Sequence, residues 1–146
     1  MAEDNFSWKA FQKHLGYTDE ELEVFKADPK RSAAAKRMFN PEIMKKDLIV
    51  EVVESHGCSA GLKAGDKLVF RALALLDVKR SSPNWCAHAM GPIPGIANMA
   101  QDRFVAGLDI NGMTYDHFGC SDVGPMRNGW GQIIMRAYVV DNKGDR

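Results

Sequence analysis

The chain has 146 residues, 45% of them apolar and 26% charged, with 19 acidic and 19 basic side chains. That length builds one domain with a real hydrophobic core and leaves little for a second. A formal net charge of zero gives no electrostatic footprint for nucleic acid or an anionic membrane, which excludes both as expected partners.

Residues 1–46 read as an N-terminal helical annex. Ser7 caps a short helix through Lys13, with Gly16 as its stop. Thr18-Asp19-Glu20-Glu21 is a capping box, after which Leu22 and Phe25 share a face. Asp28-Pro29 opens a third helix, and Asn40-Pro41 ends it. Helices this short need tertiary packing, so Trp8, Phe11, Leu15, Phe25 and Met38 are expected to pack on the rest of the chain or on a second subunit. A homo-oligomer is the expected assembly.

The texture changes at Asp47, where an α+β cysteine-motif domain, residues 47–146, is expected to begin. Leu48–Val53 is a β-branched strand with Leu48, Val50 and Val52 on one face, and Lys67–Leu73 is a second strand. A polar loop, Arg80–Asn84, delivers Trp85 and Cys86. The helix after Pro94 carries a stripe of Ile96, Ala97, Ala100, Phe104 and Leu108, with Gly107 as a stop. Asn111-Gly112 signals a tight turn, Met113–Phe118 a short strand, and Gly119–Gly131 a Gly-rich loop. Gln132–Val140 is the last strand, with Ile133, Met135, Ala137 and Val139 on one side and Ile134, Tyr138 and Val140 on the other. The expected fold is α+β: a small, mostly antiparallel sheet, one main packed helix and the annex.

Chemistry gathers at the cysteines. Each of the three has a histidine within three residues: His56 with Cys58, His88 with Cys86, and His117 with Cys120. Three cysteines cannot all pair within a chain, the first twenty residues lack the basic-then-apolar pattern of a secretory leader, and no apolar run approaches the ~20 residues that span a bilayer. A cytoplasmic protein with reduced or metal-bound thiols is expected.

Thiolates and imidazoles suit zinc or iron, so Cys58, Cys86 and Cys120 with His56, His88 or His117 form the candidate metal set. An iron–sulfur cluster is an alternative. Without paired Cys-x-x-Cys knuckles the spacing is only moderately specific, and a free cysteine is often simply a small buried hydrophobe. A metal-free reading makes Cys86 a nucleophile or acid–base thiol, activated by a helix N-terminus, with His88 and Asp122 as catalytic partners. Asp122 and Asp66 also read as turn formers. Trp85, Trp130, Met90, Met126 and Phe118 either wall a pocket for a small-molecule ligand or belong to the core. The glycines match no phosphate loop or dinucleotide fingerprint, so no nucleotide cofactor is expected.

Cys58-Ser59-Ala60-Gly61-Leu62-Lys63-Ala64-Gly65-Asp66, the central Cys86 before a helix, and Cys120-Ser121-Asp122 near the last strand together resemble a family of small, functionally uncharacterised bacterial and archaeal proteins. Its pattern is Cys-x-x-Gly-x-x-x-Gly-Asp, a central cysteine and a late Cys-x-Asp. The likeness covers roughly Asp47 to Val140, and the annex and the Gly/Trp loop at 124–131 depart from it. It implies that the three cysteines belong to one design and brings no activity with it. The residues themselves point to a metalloprotein, with metal-assisted lyase, hydrolase or isomerase chemistry if it is an enzyme. A non-catalytic accessory or metal-handling subunit docking through the annex, and a metal-free Cys/His enzyme, are the alternatives.

Overall fold

The computed structural model describes residues 5–142. The chain forms two compact units, Met1–Ile43 and Met44–Arg146, dividing a few residues ahead of the change in texture at Asp47.

The first unit is three helices: α1 (Trp8–Leu15), α2 (Asp19–Ala27) and α3 (Pro29–Met38). Each starts on a side-chain cap. Ser7 accepts from Ala10 N; Thr18 and Glu21 form the reciprocal box; Asp28 accepts from Lys30 N and Arg31 N ahead of Pro29. Gly16, at φ 75°, ends α1 in the left-handed conformation that glycine takes without a Cβ penalty. The helices supply a core to one another. Phe11, Leu22 and Ala35 are buried, with Phe6, Trp8, Tyr17 and Phe25 packed against them. Phe11 is the hub, its ring 5.2 Å from Phe25, 5.5 Å from Trp8 and 5.8 Å from Tyr17. Leu15, expected to pack on the rest of the chain or on a second subunit, lies 43% exposed.

The second unit is a five-stranded antiparallel sheet in the order β3-β2-β1-β5-β4, built from β1 (Lys46–His56), β2 (Lys67–Arg71), β3 (Leu75–Leu76), β4 (His117–Gly119) and β5 (Gln132–Asp141). With α4 (Ala87–Met90) and α5 (Ile93–Val105) this is an α+β fold. Pairing Leu48 with Phe70 and Val139, Val50 with Leu68 and Ala137, and Val52 with Met135 aligns the buried residues of three strands on one face. α5 buries Ile93, Ile96, Ala100 and Phe104. Leu108, counted in that stripe from the sequence, lies beyond the helix and is 54% exposed, because the chain turns at Gly107 (φ 70°).

The strand expected to run to Leu73 stops at Arg71. Ala72 and Leu73 take φ of 48° and 67° and turn the chain into β3. A left-handed residue that is not glycine costs about 1–2 kcal/mol, about 2–4 kcal/mol for the pair. Leu73 is fully buried, which offsets most of that with about 1.5–3 kcal/mol. The turn is set by what Leu73 buries.

Side chains complete the ladder where backbone does not. Beyond β3, Val69 N donates to Ser81 Oγ and Lys67 N to Ser82 Oγ, both at 3.0 Å. Beyond β4, Asn111 both accepts from Val139 N (2.7 Å) and donates to Val139 O (2.9 Å), as a strand residue would. At the end of the sheet where β1 begins, the carboxylate of Asp47 is 1% exposed and accepts from Arg80 Nη1 (2.6 Å) and Asn142 Nδ2 (3.0 Å). Among the described residues no helix is long and apolar enough to cross a membrane.

Candidate functional site

The opposite end of the sheet gathers the cysteine-bearing segments. His56 ends β1 opposite Gln132, the first residue of β5, and Gly119 ends β4 opposite Ile134. The loop after β1 and the loop between β4 and β5 therefore leave from one end. They touch through glycines: a Cβ on Gly131 would overlap the carbonyl of Gly57, itself at φ 64°. Only glycine at both positions permits this approach. It places Cys58 next to the Gly-rich loop.

The loop that follows Cys58 is held internally. Gly61 N donates to Cys58 O, Lys63 N to the Asp66 carboxylate, and Ser55 Oγ to Leu62 O, while Leu62 is buried. Gly61 and Gly65 carry φ of 74° and 95°. The glycines and aspartate of Cys-x-x-Gly-x-x-x-Gly-Asp thus fold the loop, and the Cys58 thiol takes no part in these bonds.

Cys120 continues the pairing of β4 with β5 in modified form. Its N–H donates to Ile133 O at 3.1 Å, while its Sγ, where a carbonyl would normally serve, accepts from Ile133 N at 3.4 Å. The thiol in turn points to Asp122 O, 4.0 Å away. Ser121 ties this segment to α4, which follows Cys86. Its N–H donates to His88 O (3.2 Å), and its hydroxyl meets His88 Nδ1 at 2.9 Å. His88 Nε2 has no partner among the described residues. Cys86 sits at the N-cap of α4 without a side-chain cap bond. α4 is a single turn, so the dipole expected to activate Cys86 is that of one turn only.

All three cysteines are half-buried residues, unlike the usual fully buried cysteine. The segments that carry them meet, yet among the described residues no three His, Cys, Asp or Glu side chains form a group that could hold a metal ion. His56 lies exposed at the end of β1. His117 is exposed at the start of β4, and its Nδ1 lies 2.7 Å from Asp116 Oδ1, so it belongs to a polar row along the strands and not to the loops.

Asp122, a candidate acid–base residue, is engaged by backbone. Oδ1 accepts from Gly124 N and Trp130 N at 3.0 Å, and Oδ2 from Gly131 N at 3.2 Å. These bonds, that of Gly124 foremost, hold its carboxyl below the ordinary value of 3.8. A Cβ on Gly129 would strike the same carboxylate. Asp122 organises the Gly-rich loop. The ordered loop presents Met126, 92% exposed, and Trp130, 82% exposed, so neither is core.

Two sets of residues were missed from the sequence. Ser121, which orients His88, left no signal because their contact joins residues 33 positions apart. The pairing of Glu51 with Arg136, and of Arg136 with His117 (named from the sequence as a metal ligand), was within reach, since alternation along β5 puts Arg136 on the face away from the core. Comparison with protein-family models, curated proteins and solved structures finds no match to this chain.

Proposed function

We propose that the sheet end bearing Cys58, Cys86 and Cys120 is the working site of a cytoplasmic metalloprotein that binds a thiophilic ion, zinc or iron, and acts on a small molecule. One observation carries this reading: three half-buried free cysteines from distant parts of the sequence lie on segments joined by the Gly57–Gly131 contact and the Ser121–His88 bonds. Thiolate and imidazole are the donors these ions favour, and binding draws such ligands together as it is coupled to folding. The N–H of Ile133 on Cys120 Sγ holds that sulfur at the sheet end where the cysteine-bearing segments meet. His88, oriented through Nδ1, offers Nε2 as a further ligand or as acid–base partner. The chain is read as a homo-oligomer and as a relative of the small cysteine-motif family that it resembles. In an accessory or metal-handling subunit the same thiols would stay closed to substrate.

Elemental analysis of protein purified without oxygen tests the reading. The expected result is about one zinc or iron per chain, lost in Cys58→Ser, Cys86→Ser and Cys120→Ser. Metal-free protein that also shows no saturable zinc or iron binding overturns it.

A second reading is favoured by the absence of a ready-made metal group among the described residues together with the oriented imidazole: a metal-free thiol chemistry in which His88 serves Cys86. Under it, alkylation of Cys86 slows in His88→Asn and is unaffected by chelators.

A further inference from the structure

On the same unit, away from the thiols, three adjacent strands align a row of unlike charges. Glu51 on β1 is the register partner of Arg136 on β5, and Arg136 is the partner of His117 on β4. Glu51, Asn111, Asp116, Arg136, Ala137 and Tyr138 line an open groove of about 380 Å³ there, within the size range of small-molecule sites.

The hydrogen bonding leaves one group of each sign incompletely used. Glu51 accepts from the Tyr138 hydroxyl at 3.3 Å and pairs with no cation among the described residues. Asp116 is shared between His117 Nδ1, at 2.7 Å, and Arg136 Nε, at 3.6 Å. Arg136 lies over the Tyr138 ring, 5.6 Å from its centroid, which steadies the guanidinium while its two terminal nitrogens stay open. Adjacent strands are about 4.8 Å apart, so an open carboxylate and an open guanidinium face the groove one strand apart.

We propose that this groove binds a small zwitterion of amino-acid size, its carboxylate on Arg136 and its ammonium on Glu51. A bidentate carboxylate is the natural complement of a guanidinium with two free nitrogens. A lone anion leaves Glu51 without a cation and a lone cation leaves the guanidinium without its carboxylate, so a ligand carrying both charges makes two ion pairs where either half makes one. Tyr138, whose hydroxyl is pushed above its ordinary range by burial and then by the Glu51 charge, stays neutral and donates to Glu51.

The test is two-dimensional NMR titration of the whole chain with glycine, and in parallel with acetate and with methylammonium. Glycine is expected to give saturable shifts confined to residues around Glu51, Arg136 and Tyr138, at concentrations at least tenfold lower than either half-molecule. Glu51→Gln and Arg136→Gln are each expected to weaken glycine at least tenfold while the remaining spectrum is preserved. Acetate or methylammonium matching glycine, no saturable shift with glycine, or full glycine affinity in both variants would each overturn the proposal. The selectivity of the unmodified chain decides it even if a variant fails to fold.

Discussion

The backbone N–H of Trp130 lies 3.0 Å from Oδ1 and 3.3 Å from Oδ2 of Asp122, which fastens the far end of the Gly-rich loop to its beginning. Asp122→Ala removes the acceptor for Gly124, Trp130 and Gly131 together. Amide exchange at those three positions should rise and the thermal midpoint should fall. Asn, which keeps one acceptor oxygen, should fall between. Exchange that does not change would mean that the backbone bond from Gly129 N to Gly124 O and the bond from Gln132 Nε2 to Asp122 O hold the loop unaided.

Acid should be the weak side of the fold. Asp122 is lowered by its backbone donors, Asp116 by the His117 hydrogen bond and Asp77 by the Arg80 hydrogen bond, each from an ordinary value of 3.8. A carboxyl with a depressed folded pKa contributes stability that is fully present above the unfolded value and lost as pH falls through the folded one. The thermal midpoint should therefore hold from neutrality to about pH 5 and drop below about pH 4. Asp77→Asn and Asp122→Asn should each flatten that drop, which melting curves at stepped pH will show.

Much of the fold was legible because its determinants are local. Ser7, Thr18-Glu21 and Asp28-Pro29 act on their own helices, and the alternation of β5 reports its two faces directly. β3 was not legible, since the Ala72-Leu73 turn has neither glycine nor asparagine and is driven by burial of Leu73. The candidate site was legible as residue types and not as geometry. Cys58, Cys86 and Cys120 stand out in the chain, but the Gly57–Gly131 approach and the Ser121–His88 bonds that bring their segments together join residues far apart in sequence.

Two glycine substitutions should move stability in opposite directions. Gly131→Ala drives a methyl into the Gly57 carbonyl and should cost about 1–3 kcal/mol or more. Gly95→Ala sits in the first turn of α5 with nothing within 4 Å of the new methyl. It should stabilise by about 0.4–1 kcal/mol, through a less flexible unfolded chain. Urea midpoints of the two variants settle both signs.

The three cysteines should separate in metal-free protein. The Cys120 sulfur accepts from Ile133 N inside the sheet ladder, so Cys120→Ser should cost about 1 kcal/mol as that bond is remade with a shorter side chain. The sulfurs of Cys58 and Cys86 have no hydrogen bond among the described residues, and their serine variants should stay within about 0.5 kcal/mol of the parent. With metal bound, all three should lose stability. Equal small losses under both conditions would remove the basis for a shared site.

In the helical unit Phe11 touches every other large aromatic group of the core, so Phe11→Ala should cost about 3–5 kcal/mol. Hydrogen exchange resolved by segment should place that loss in residues 8–38. Protection in β1 and β5 is the internal reference.

The serines beside β2 and the asparagine beside β5 also govern what the sheet can become in a crowded cell. Open strand edges are templates on which further chains add without limit, the route to cross-β fibres. Here the exposed edge strands are only two residues (Leu75–Leu76) and three residues (His117–Gly119) long. Past each of them hydroxyls or a carboxamide take up ladder positions, alongside the backbone bonds of Asp77 N to Val69 O, Ser82 N to Lys67 O and Ala137 N to Asp116 O. Replacing Ser81, Ser82 or Asn111 by alanine would do more than remove a hydrogen bond. It would reopen a seam along which molecules of this protein could polymerise.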